Sequence, residues 1–210
     1  MRNIQAIYLR KISEALARLN ACEGFLSLYR SSKDTFVLES AILQMRKALG
    51  AVAFAAIAPN KDQYAEFRAH AEENPDFTKD FNARLILRFL GKVNPDFYPI
   101  PVSAPIAVSS RNWHFERRED NSLTKDRFKT IYDRLGKYLH ADNPWGNDKG
   151  LAKILNDIPE VISAIRSLLS WHFTTIRTPE FSGFWVVEVP ENGTSPRVIV
   201  AQADGEFIIR

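Results

Sequence analysis

Apolar side chains return every three or four positions through the first 58 residues, and from residue 184 onward that period gives way to β-branched and aromatic runs. This change of period constrains the fold more than any single motif, because a helical stripe and a pleated run bury their faces in different ways. Ile4, Ile7, Tyr8, Ile12, Leu16, Leu19, Phe25 and Leu28 predict a helix or a broken helix pair over 3–29. Ser31-Ser32-Lys33-Asp34 is polar punctuation, and Leu38, Ile42, Met45, Leu49, Val52 and Phe54 predict a second helix over 35–58. The later half of that helix is rich in alanine and carries Gly50, which allows another helix to approach closely. Pro59-Asn60 ends it.

Beyond this point the chain is more broken. A short helix is expected over 61–72, stopped by Asn74-Pro75, and another over 80–91 with Gly91 at its C-terminal cap. Pro95, Pro99, Pro101 and Pro105 make 94–106 an extended linker, with a short strand at Ile106 to Val108. Thr124 is a good N-cap for a helix over 125–140 that buries Phe128, Ile131, Leu135 and Leu139. A further helix is expected over 149–173, with Ile154, Ile158, Val161, Ile162, Ile165, Leu168 and Leu169 inward. FWVVEV (184–189), RVIVAQ (197–202) and EFIIR (206–210), separated by Glu191-Asn192-Gly193 and Asp204-Gly205, predict a three-strand antiparallel meander. A lone meander is marginal in water, so it is expected to pack on the helices or to recruit a strand from 104–117. The reading is an α+β chain, predominantly α: a helical domain over 1–178 and a β-meander over 179–210.

Composition narrows the function classes. With 45% hydrophobic and 25% charged residues over 210 positions, the chain can bury a core. A net charge of +3 permits a nucleic-acid partner without requiring one. Cys22 is the sole cysteine, which excludes an intrachain disulfide and a thiolate-rich zinc site. The four histidines, 70, 114, 140 and 172, form no close pair, and no Gly-rich phosphate loop is present. No metal or cofactor is therefore expected. The start lacks a secretory pattern, and LGAVAFAAIAP (49–59) is too short to span a bilayer, so a cytoplasmic location without a membrane partner is expected.

Two Arg-x5-His spacings stand out: Arg134 with His140, and Arg166 with His172. His172 continues the apolar series of Ile165, Leu168 and Leu169 and is expected to be a satisfied core residue. His140 lies away from Leu135 and Leu139, just before the ADNPWG turn, and is the better candidate. This pattern resembles the ribonuclease motif of the HEPN superfamily, although a polar residue tends to follow the arginine there and Leu135 stands in its place. The resemblance implies metal-independent RNA cleavage of a toxin or phage-defence type, usually across a homodimer. His140 would move the proton of the attacking 2′-hydroxyl and Arg134 would hold the developing phosphorane charge. On a straight helix six residues separate the two side chains by ~120° and ~9 Å. They are expected to converge only where the helix unwinds near 140 or a second subunit supplies the partner group.

Asp133 is expected to orient His140 through a bridging group, or to be a solvated aspartate. Arg127 would guide the RNA backbone. Trp145 would stack on a base or close a hydrophobic lid. Gly136 implies close approach by a neighbouring backbone. Arg111, Trp113, His114, Arg117 and Arg118 interleave charge with rings, which suits single-stranded nucleic acid, while Glu116, Glu119 and Asp120 suit an ion-paired loop. The alternative to the enzyme is a non-catalytic helical binding or interaction module, with a protein partner or inhibitor in place of a substrate.

Overall fold

The computed structural model describes residues 2–72, 75–110, 112–141, 143–146, 150–177, 182–190 and 194–201. The first apolar stripe is one unbroken helix, α1 (Arg2–Ser32), rather than a broken pair. Lys33 then adopts φ 57°, and its N–H donates to the Tyr29 carbonyl at 2.8 Å. Asp34 caps the next helix, α2 (Thr35–Ile57), by accepting from the Phe36 N–H at 2.8 Å. This two-residue turn folds α2 back along α1, and the alanines at 41, 48, 51, 53, 55 and 56 are buried as α2 packs against α1, α4 and α5. By length and composition the helical stretch Thr35–Ala69 could cross a membrane, but 67% of its most apolar window is buried inside the protein.

A left-handed lysine carries a steric cost of about 1–2 kcal/mol, which glycine avoids at a somewhat higher unfolded-state entropy. Lys33→Gly is accordingly expected to stabilise the protein by about 0.5 kcal/mol, read as a higher urea midpoint at unchanged slope.

A 3₁₀ turn at Ala58–Asn60 leads into α3 (Lys61–Ala69), and a second at Phe77–Lys79 leads into α4 (Ala83–Val93). Gly91 lies inside α4, and the cap expected there is made by Asn94, whose N–H donates to the Leu90 carbonyl at 2.8 Å. The buried Asn94 amide donates to Asn60 Oδ1 at 2.9 Å and to the Thr175 carbonyl at 3.0 Å. The proline-rich linker supplies β1 (Ile100–Pro101), and β2 (Ile106–Ala107) pairs with β3 (Trp113–His114) as a separate exposed hairpin. Thr124 caps α5 (Lys125–Tyr138) as expected, accepting from the Arg127 N–H at 3.3 Å. α6 (Leu151–Ser170) follows.

The helix expected over 149–173 stops at Ser170, and Trp171 is already extended at φ −132°, ψ 121°. It begins β4 (Trp171–Arg177), whose first three residues were expected to be helical. The sheet order is β1-β4-β5-β6, all antiparallel, with β5 (Ser182–Glu188) and β6 (Arg197–Ala201) close to the expected strands. The expected strand over 206–210 lies outside the described residues. The recruited strand is β1, whose Pro101 faces His172; the 104–117 region adds only a bridge between Val102 and Arg117. Proline lacks a ladder donor, which suits this edge position. Tyr8 of α1 packs edge-on against Trp185 of β5 at 5.8 Å, joining the sheet to the helical core.

Candidate functional site

α5 and α6 meet along Ile131, Leu135, Ile154 and Ile158, leaving a cleft of about 220 Å³. Two arginines of α5 line it, and each meets a carboxylate of α6. Arg134 donates to Asp157, and Arg127 donates to Glu160 at 2.8 Å and to Asn121 at 3.1 Å. Partial burial disfavours the Arg134 charge, but the Asp157 carboxylate and the Tyr138 hydroxyl outweigh it and raise its pKa above the ordinary value. Asp133, the expected support for His140, turns to α4 and accepts from Arg84. α5 ends at Tyr138, with Leu139 as its C-cap, so His140 is exposed beyond the helix end. The neighbour of Gly136 is a side chain, not a backbone. An added Cβ would meet the Arg46 guanidinium at 3.0 Å, which lies over the Tyr132 ring and donates to the Tyr132 carbonyl.

The second Arg-x5-His pair is divided between a helix and a strand. Arg166 on α6 donates to Asn20 and to Glu23 of α1, each at 2.7 Å. His172 on β4 is completely buried, a core residue as expected, though not a helical one. The Leu169 carbonyl, 3.0 Å from Nδ1, can only accept, so Nδ1 carries the proton. Nε2 then accepts from the Tyr8 hydroxyl at 2.7 Å. Burial pushes the His172 pKa down to about 4, against the small opposing effect of the Leu169 carbonyl.

The RNWHFERRED segment splits in the same way. Arg111 lies outside the described residues. Trp113 and His114 are exposed on β3, and Arg117 is exposed beside them. Arg118 is drawn inward to the C-terminal turn of α6, where it donates to the Ser167 carbonyl and to Ser170 Oγ at 3.0 Å. A guanidinium there satisfies carbonyls that a helix end leaves open. Trp145 is 90% exposed on the Asn143 turn, so it does not form the packed lid.

A larger groove, about 1110 Å³, lies elsewhere, between α3 and α4. Its floor is a buried cluster. Asp80 accepts from Tyr64 Oη at 2.7 Å and from Arg68 at 3.0 and 3.1 Å, and Arg68 stacks on the Phe89 ring. Among the described residues four basic side chains line the groove against two carboxylates, which favours an anion. Arg68 is held by Asp80, and Lys79 lies 3.7 Å from Asp76. Arg88 and Lys92 make no salt bridge among the described residues; they sit over the Phe89 and Phe67 rings at 5.2 and 5.8 Å. Sequence reading passed over these residues. The signal was available in Phe81, Leu85, Arg88 and Lys92, which share one helical face by spacing.

Among the described residues no group of three metal-ligating side chains comes together. No protein-family model, curated protein or solved structure matches the chain.

Proposed function

We propose that this protein is a non-catalytic helical module that binds RNA. One contrast carries the reading: the arginines of both Arg-x5-His pairs are held by carboxylates, Asp157 and Glu23, whereas among the described residues no carboxylate pairs with Arg88 or Lys92 in the α3–α4 groove. A cation already neutralised by a protein carboxylate must exchange that partner before it can bind phosphate, while one held over a ring need not. The net charge of +3 is compatible with the same class of partner.

The HEPN-like ribonuclease remains the second reading, favoured by one observation. α5 ends before His140, which releases the imidazole from the ~120° offset that a continuous helix would impose. In that reading Arg134 leaves Asp157 for the scissile phosphate, and a second copy of the chain can complete the site.

Incubation with single-stranded RNA in EDTA separates the two. The binding module retains RNA in a complex and leaves it intact. Metal-independent cleavage that disappears in folded His140→Ala and Arg134→Ala variants would replace this reading with the nuclease, and cleavage lost instead in His172→Gln would move the site to the second pair.

A further inference from the structure

The geometry points to the α3–α4 groove as a seat for single-stranded RNA, in which a base stacks on Phe81 and successive phosphates meet Arg88 and Lys92. This inference rests on the RNA-binding reading and names its site.

Phe81 precedes the N-cap of α4, where Asn82 accepts from the Leu85 N–H at 3.2 Å. An apolar residue at this position usually folds down onto the first turn, against a residue such as Ile86. Phe81 does not: it is 82% exposed on the groove rim. A large ring held at the mouth of a cationic groove is a stacking platform for a base. Arg88 and Lys92 stand one helical turn apart, about 6 Å along the axis, on the wall that Phe81 begins. Their charges are positioned over the Phe89 and Phe67 rings, which are themselves in contact at 5.9 Å. The Tyr64–Asp80–Arg68 cluster holds α3 to the residues entering α4, so the groove is built into the fold. An exposed ring beside two cations one turn apart suits a flexible strand whose bases are unpaired.

The test uses the full chain and a fluorescently labelled single-stranded RNA, with binding followed by polarisation in EDTA across a salt series. The Arg88→Ala/Lys92→Ala double variant is expected to bind at least tenfold more weakly at ~0.1 M salt, with a salt slope smaller by about 1.4, the value for two lost phosphate contacts on a single strand. Phe81→Ala is expected to lose about tenfold with an unchanged slope, because a stack carries no counterion release. All three positions are exposed, and unchanged urea midpoints confirm that the variants are folded. Wild-type binding that survives in every variant would overturn this site and leave the RNA-binding reading intact. Failure of the wild-type protein to bind RNA would overturn both. Polyphosphate competing as well as RNA, with Phe81→Ala harmless, would reduce the groove to a polyanion contact. AMP binding as tightly as the strand would make it a mononucleotide site. Poly-glutamate competing as well as RNA would make its occupant an acidic protein. Each of these three outcomes overturns the strand proposal.

Discussion

Between pH 7 and pH 5 the protein should lose about 2 kcal/mol of unfolding free energy through His172 alone, and about 3 kcal/mol by pH 4. The imidazole is completely buried with its pKa pushed down to about 4, and its two nitrogens are occupied by the Leu169 carbonyl and the Tyr8 hydroxyl. The unfolded chain binds a proton near 6.5, whereas the folded chain refuses it until about 4. Proton uptake therefore favours the unfolded state within this window. The stabilisation is complete above 6.5, falls as pH drops, and stops changing once the folded form also protonates. The measurement is a set of urea titrations from pH 7.5 to 5. Glu14, held below the usual carboxylate range by hydrogen bonds from Lys11 and Arg18, adds its own loss only nearer its ordinary pKa, so the upper window isolates the histidine. His172→Gln removes the titration, so its stability should be lower at pH 7.5 and flat across the window. A slope that persists in this variant would assign the titrating group elsewhere.

The same residue illustrates how much of the fold was legible beforehand. α1, α2 and α5 follow apolar residues at spacings of three and four, and the Thr124 cap was legible where Asp34 read only as polar punctuation, so local pattern suffices for such elements. β4 is different. His172, Phe173, Thr174, Thr175 and Ile176 are all buried, so the run shows no alternation and reads as a continuation of the α6 stripe. Of its partners, β5 is the next strand in the chain, but β1 comes from the distant proline-rich linker. The candidate site suffered from the same dependence on tertiary context. Arg134 and His140 are recognisable by spacing, but the pairing of Arg134 with Asp157 on another helix has no local signal. The α3–α4 groove was half-legible: Arg88 and Lys92 share one face of α4, with Phe81 just before its N-cap, yet only the facing α3 makes that face a groove. The capping role of Arg118 likewise depends on where α6 ends, which the pattern misjudged by three residues.

Removing the carboxylate of Asp80 is expected to destabilise the protein by about 3–5 kcal/mol, a large fraction of a typical domain's total. The Arg68 side chain is only 6% exposed and lies over the Phe89 ring, so Asp80→Ala leaves a guanidinium buried without its bidentate partner. It also orphans the Tyr64 hydroxyl, whose ring is fully buried and packs edge-on against Phe77 at 6.2 Å. Desolvation and the Asp80 hydrogen bond both raise the Tyr64 pKa, so the phenol stays protonated and loses its acceptor. Most of the penalty comes from removing the carboxylate that faces a buried guanidinium rather than from the intrinsic strength of the pair. Arg68→Met in the Asp80→Ala background should therefore restore at least half of the lost stability, because an unbranched apolar chain fills the space without a charge. Urea midpoints of the two single variants and the double variant provide the cycle. If Asp80→Ala costs less than about 1 kcal/mol, or if Arg68→Met deepens its loss, the cluster is not the anchor between α3 and α4. The proposed RNA seat provides an independent readout: if the groove holds RNA, breaking the floor that keeps both walls in register should weaken that binding even under conditions where the variant remains folded.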